Sequence, residues 1–132
     1  ETVIEVKKEL DFIHAFISLH QKRHGENLKF VVNIPGEVLN RYIPVLSLQI
    51  LVENAIKHNE ISGLHPLRIE IYYENDHLII KNNYQPRIEK QESMGIGLTN
   101  LKERYSYLSD QEPVFIMKDD MYIASLPLLT ID

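Results

Sequence analysis

The apolar positions of this chain change period several times, and each change marks an element. Val6, Leu10, Ile13, Ile17 and His20, with Phe16 beside them, recur at spacings of three and four. They predict a helix from about Thr2 to Arg23, ended by Gly25. Leu28–Ile34 (LKFVVNI) reads as a strand stopped by Pro35-Gly36. A second helix is expected over Pro44–Asn59 (PVLSLQILVENAIKHN), with the proline in its first turn. Leu67–Tyr73 (LRIEIYY) alternates and predicts a strand; after a turn at Glu74-Asn75-Asp76, His77–Lys81 (HLIIK) returns as its hairpin partner. Asn82–Met94 is polar and without period, as a loop would be. Gly95-Ile96-Gly97 leads into a third helix, Leu98–Leu108, striped by Leu98, Leu101, Tyr105 and Leu108. Val114–Lys118 and Tyr122–Leu126 form two last strands about a turn at Asp119-Asp120. This order predicts a two-layer α/β (α+β) sandwich, with three helices on one face of a mixed, mostly antiparallel sheet.

The second helix carries the most chemistry. At about 100° per residue, Glu53, Asn54, Lys57 and His58 fall on one arc of roughly 140°. Val45, Leu48, Leu51, Val52, Ala55 and Ile56 fill the other. A carboxylate, an amide, an ammonium and an imidazole together suit a divalent metal and a phosphate chain. Mg²⁺ takes one or two protein oxygens beside substrate phosphates and keeps several waters. Asn54 can supply one oxygen, Glu53 can hold a metal-bound water or accept a proton, and Lys57 can neutralise a phosphate. His58 can donate a hydrogen bond to one. The plainer reading is a solvated helix end with a Glu53–Lys57 ion pair. For any one of these residues the plainer reading is favoured; for the four together, function is.

Two further segments matter less on their own. Of five glycines in the chain, two stand in Ser93-Met94-Gly95-Ile96-Gly97-Leu98. They let backbone approach a phosphate, and the following helix offers free N–H groups. A flexible loop and helix entry would read the same. Asn100 can cap that helix or touch a ligand. Lys81-Asn82-Asn83 ends a strand and would ordinarily be a turn. Among six histidines only His58 is a candidate; His14, His20, His24, His65 and His77 read as surface or boundary positions. Tyr42, Tyr72, Tyr73, Tyr105, Tyr107 and Tyr122 read as the rim of the core.

Composition narrows the field. With 132 residues, 44% hydrophobic and 25% charged, the chain fits one globular domain with a real core. A net charge of -5 with no basic stripe argues against nucleic acid. The absence of cysteine removes disulfides, thiolate metal sites and cysteine nucleophiles. No apolar run approaches the roughly 18 residues of a membrane span, and no signal peptide is visible. ETVIEVKKEL already reads as helix, as in a piece taken from a longer protein.

LQILVENAIKHN resembles the N box of the GHKL ATPase/kinase superfamily, and within it the LytS-like sensor histidine kinases. GIGLTNLKERY is similar to that group's second glycine box and lid helix, and ELDFIHAFISLHQKRHGENLKFVVNI to the helix and strand before the N box. The likeness covers essentially the whole chain. It implies a Bergerat fold binding ATP and Mg²⁺, with Asn54 on the metal and Glu53 as the acid/base or water-orienting group. Lys57 and His58 become phosphate and nucleotide contacts. Gly95 and Gly97, with Leu98 and Asn100 after them, lie near the triphosphate, and about Tyr84 to Met94 form the lid. The chain would then be the cytoplasmic catalytic piece of a membrane-anchored kinase. Its partners would be the phosphoacceptor helical domain of the same protein and, through the full-length kinase, a response regulator of LytTR type. No phosphoacceptor motif occurs here, so His14 and His20 do not take that role. The piece itself is expected to be a monomer, touching neither membrane nor nucleic acid.

The chain departs from this pattern in two places. Asn82 stands where the family carries the aspartate that accepts a hydrogen bond from adenine, and Tyr84 where it carries glycine. No glycine lies between Gly63 and Gly95, so realignment does not restore the box. An amide oxygen still accepts, without charge assistance, for a loss of about 1 kcal/mol of affinity. Asn59 replaces a common glycine. Three functions therefore compete: a kinase catalytic domain, a scaffold of the same fold binding nucleotide poorly or not at all, and a hydrolase using Glu53 to activate water.

Overall fold

The structure is a computed structural model that describes residues 2–87 and 95–131. In chain order its elements are β1 (Val3–Glu5), α1 (Val6–His24), β2 (Leu28–Asn33), β3 (Tyr42–Pro44), α2 (Ser47–His58), β4 (Leu67–Glu74), β5 (His77–Asn83), α3 (Gly95–Leu108), β6 (Val114–Lys118) and β7 (Met121–Pro127). Five strands form one sheet in the order β2-β4-β5-β7-β6. Only β2 and β4 run parallel, with α2 in the connection between them. The other neighbours are antiparallel. The predicted two-layer sandwich is the observed one.

The core forms where alternation in the strands meets the apolar stripes of the helices. Leu67, Ile69 and Ile71 of β4, Leu78 and Ile80 of β5, and Ala124 and Leu126 of β7 are buried together with Ile13 and Ile17 of α1. Leu48, Leu51 and Val52 of α2 and Leu101 and Tyr105 of α3 complete this layer. Tyr105, expected at the rim, is wholly buried; its hydroxyl donates to the Pro127 carbonyl at 2.8 Å. That one bond satisfies the polar end of an otherwise apolar anchor.

The start of the chain and of α2 differ from expectation. Val3–Glu5 is strand rather than helix and pairs antiparallel with β3. Pro44, expected in the first helical turn, is the last residue of β3 and faces Val3. Helix α2 begins only at Ser47, because Leu46 takes a left-handed φ of 71°. Helix α3 begins earlier than expected, at Gly95.

The N-terminus of α2 has no cap from its own segment. Glu9, buried on α1, supplies it. Its carboxylate accepts from Leu46 N (2.9 Å), Leu48 N (2.7 Å) and Gln49 N (3.1 Å). Three orphan donors are satisfied by an anion at the positive end of the helix. Arg104 of α3 lies near and donates to the Val45 carbonyl. Burial pushes Glu9 above the ordinary glutamate range; the three backbone N–H groups and Arg104 pull the other way.

Removing this cap leaves buried N–H groups unpaired, so Glu9→Ala is expected to cost about 2–4 kcal/mol in urea unfolding at neutral pH. The pH dependence has a definite sign. Native Glu9 holds its proton to higher pH than the unfolded chain does, so the native state binds more protons between the two pKa values. Its contribution to stability is full below the ordinary glutamate pKa and is lost as pH rises through the raised one. Glu9→Gln removes this slope; an unchanged slope in that variant would show that other groups carry it.

Candidate functional site

The arc of polar residues on α2 divides in two. Glu53 and Lys57 face a groove of about 830 Å³ between the C-terminal ends of α1 and α2. Phe16, His20, Arg23 and His24 of α1 line its other wall. Phe16 and His20 touch at 4.7 Å between ring centroids, and the His20 and His24 rings lie parallel at 6.5 Å. Burial lowers the proton affinity of His24, and Arg23, His20 and Arg87 add to this. Gln49 Nε2 donates to Glu53 Oε2 at 2.8 Å and orients that carboxylate. Among the described residues, Glu53 and Lys57 do not form the ion pair that their spacing allows. Lys57 is exposed.

Asn54 and His58 turn the other way, toward the sheet. With Ala55, Asn59, Asn82, Tyr84 and Tyr122 they line a small cavity of about 10 Å³. His58, Asn59 and Asn82 are all buried. Asn82 and Tyr122 are cross-strand partners on β5 and β7. Asn82 Nδ2 donates to the Asn83 carbonyl at 2.8 Å. Among the described residues, two buried polar atoms here have no hydrogen-bond partner, Asn54 Nδ2 and Tyr122 Oη. Buried polar groups are paired in the great majority of cases, so two orphans on one cavity call for a ligand or a water.

The segment after β5 clamps the C-terminus of α2. Asn59 Oδ1 accepts from Gln85 N at 2.7 Å, and Asn59 Nδ2 donates to Ala55 O at 2.9 Å. Gln85 Nε2 donates to Glu60 O and His65 O. Arg87 donates from its backbone to His58 O and from its guanidinium to Asn59 O and Ile56 O. A cation on the last carbonyls complements the helix dipole.

The glycine segment meets α2 from a third direction. Gly97 lies in the first turn of α3, where an added Cβ would stand 3.3 Å from Ile50 Cγ2. Ile50 precedes Asn54 by one helical turn, so α3 enters against the stripe that carries Asn54. Leu98 packs on the core as a partly buried residue, and Asn100 is exposed. Ser93 and Met94, and most of the expected lid, lie outside the described residues. Glu9, Arg87 and Tyr122 are missing from the reading of the sequence as site residues. Only Tyr122 had a usable signal, its strand position opposite Asn82.

The catalytic domain of histidine kinase ThkA has the same fold, with a TM-score of 0.63 over 96% of this chain and 95% of that one at 13% identity. The architecture is therefore that of histidine kinase catalytic domains. No family model matches the chain. In sequence it is 31% identical over 112 residues to the sensor histidine kinase YesM of Bacillus subtilis (strain 168), across 79% of this chain and 19% of YesM. It is 24% identical over 135 residues to the sensor protein LytS of Enterococcus faecalis (strain ATCC 700802 / V583), across 90% of this chain and 23% of LytS. The chain is a histidine kinase domain of the LytS type. It spans about a fifth of the length of these relatives.

The contact with Ile50 separates two uses of Gly97. Gly97→Ala gains helix propensity and needs only a small shift of a side-chain methyl, so stability is expected to stay within about 1 kcal/mol. Gly97→Val must displace Ile50 and is expected to cost about 1–3 kcal/mol. Thermal unfolding checks both, and equal behaviour of the two variants would show that α3 does not pack closely there.

Proposed function

We propose that this domain binds Mg²⁺·ATP and presents it to a histidine on a separate helical module of the same protein. The observation that carries this reading is the amide nitrogen of Asn54, buried and without a hydrogen-bond partner among the described residues. An amide can offer its oxygen or its nitrogen at one place by turning over. It therefore fits a metal ligand whose partner comes with the substrate, and the oxygen donor is of the type Mg²⁺ prefers. Among the described residues no cluster of three or more acidic or histidine side chains could hold a metal by itself. A single amide completed by substrate phosphates is consistent with that.

Mg²⁺·ATP would supply the transferable phosphoryl group, and the remaining work is positioning and charge neutralisation. Asn54 holds the metal. Lys57, exposed and without a carboxylate partner among the described residues, neutralises phosphate charge at the groove. Glu53, oriented by Gln49, accepts the proton of the attacking group or holds a water. Gly95 and Gly97 bring the N-terminus of α3, with Leu98 and Asn100, to the triphosphate. His58 and Asn82 stand on the base side. The partners are the phosphoacceptor helical domain and a response regulator, for which LytTR type is the expectation. ThkA is itself described in complex with a response regulator protein, TrrA. No described helix is long and apolar enough to cross a membrane, and we place the domain on the cytoplasmic side of a membrane-anchored kinase.

One observation favours the scaffold reading. Tyr84, in place of a glycine, closes the base side to a cavity of about 10 Å³. Calorimetric titration of Mg²⁺·ATP distinguishes the two. The catalytic reading expects binding to the unmodified chain, a loss of roughly tenfold or more in Asn54→Ala, and tighter binding in Asn82→Asp. Absence of binding at millimolar ATP overturns it in favour of the scaffold. Steady phosphate release by the chain alone would point to the hydrolase.

A further inference from the structure

The five-stranded sheet ends on β6, and that edge is unguarded. Val114, Phe115, Ile116 and Met117 are consecutive apolar residues, and Val114, Ile116 and Met117 are 51%, 45% and 50% exposed. An edge strand ordinarily carries charges, a proline or a bulge that discourage pairing with another chain. Strand β2, at the opposite edge, does so: Lys29 and Asn33 flank Val31 on its exposed side. In β6 the one charged residue, Lys118, comes last.

The free backbone groups of this edge follow from the hairpin. Asp119 and Asp120, with φ of 55° and 61°, form the two-residue turn from β6 to β7. Such a turn is closed by a hydrogen-bonded pair, here Lys118 and Met121. By alternation Ile116 and Val114 also bond to β7, and the N–H and C=O groups of Phe115 and Met117 point away from the sheet. Neither residue makes a further backbone hydrogen bond among the described residues. Pro113, next in the outward series, offers its carbonyl. Glu112 precedes that proline, which favours an extended backbone and continues the line of the strand.

We propose that β6 pairs with β6 of a second copy of this chain, antiparallel about a two-fold axis at Phe115. Each Phe115 N–H then donates to the other Phe115 carbonyl, and each Met117 N–H to the other copy's Pro113 carbonyl. On the outer face Val114 meets Ile116 on either side of the axis, and Lys118 meets Glu112 beyond them. Both of these charged side chains are exposed, and they are of opposite sign. Charge selects this register. An axis at Ile116 sets Glu112 against Asp120 and Lys118 against Val114, and an axis at Val114 sets Glu112 against Ile116. A two-fold contact uses each β6 edge once, so association stops at the dimer. Such a dimer departs from the monomer expected of the sequence.

Sedimentation equilibrium of the unmodified chain from about 5 µM to about 1 mM reads the association. Interfaces under about 1,200 Å² are weak, so a dissociation constant on the order of 10–100 µM is expected for one strand per copy. Lys118→Glu sets like charges opposite one another and is expected to weaken the dimer about tenfold. Glu112→Lys combined with Lys118→Glu exchanges the charges and is expected to restore it. Both positions are exposed, so thermal unfolding should match the unmodified chain, which separates lost pairing from lost fold. The chain has no cysteine, so cross-linking reports the register directly. Val114 and Ile116 across the axis form a non-hydrogen-bonded pair with Cα atoms about 4.5 Å apart, within reach of a disulfide. An equimolar mixture of Val114→Cys and Ile116→Cys is therefore expected to form disulfide dimers faster than either variant alone. A chain that stays monomeric at about 1 mM overturns the proposal. So does a dimer indifferent to Lys118→Glu, one that the double exchange fails to restore, or a cysteine mixture that cross-links no faster than its components.

Discussion

The architecture depends on one buried carboxylate. Glu9 crosses from α1 to cap a helix that starts more than thirty residues later, and it does so with three backbone donors. Burying an anion costs several kcal/mol unless it is fully hydrogen-bonded. The exposed N–H groups of α2 carry a comparable penalty if left alone. Each group solves the other's problem. Leu46 could not cap the helix, since its side chain lacks a polar atom. Its left-handed backbone instead turns the N–H groups of Leu46, Leu48 and Gln49 toward Glu9. Arg104 then ties the Val45 carbonyl to α3, so all three helices meet at this point.

With its start fixed by Glu9 and its end held by Asn59, Gln85 and Arg87, α2 has little freedom to rotate. That constraint is what gives its polar residues separate surroundings. Glu53 and Lys57 are held toward the open groove beside α1, where charge stays solvated. Asn54 and His58 are held toward the sheet, where an uncharged amide and imidazole can be buried at tolerable cost. A rotation of about 40° would place the ammonium of Lys57 in the cavity or withdraw Asn54 from it. The division of labour on this helix is thus a consequence of its caps as much as of its sequence.

The long elements were legible because their burial is periodic. Ile13 and Ile17, or Leu67, Ile69 and Ile71, announce a helix face and a strand face through spacing alone. Val3–Glu5 and Tyr42–Pro44 were not, since three residues offer too short a window for any period. Only their mutual pairing makes them strands. The cap of α2 was hidden for a related reason: the expected signal is a Ser, Thr, Asp or Asn next to the helix, and the actual one lies on another helix. At the site, spacing put Glu53, Asn54, Lys57 and His58 on one arc of α2. It could not show that the arc straddles an edge between a groove and the core, because that edge is set by α1 and the sheet. Tyr105 and Tyr122 were both read as rim. Tyr105 is instead buried against the end of β7, where its hydroxyl donates to the Pro127 carbonyl.

The closed side of the site shows how a lost charge can be accommodated. An aspartate at position 82 would face Tyr122 and Asn54 across a cavity with little room for water, and its desolvation would have to be met by a ligand or by the protein itself. Asn82 removes that cost, because a neutral amide already bonded to Asn83 is stable in the empty cavity. The same change weakens what the position can offer a base. Tyr84 then covers the mouth with a ring that has replaced the backbone freedom of glycine. Substitutions at 82 and 84 are therefore best understood together. Both let this wall close on its own side chains, while α2 keeps Glu53, Asn54 and Lys57 on its polar arc.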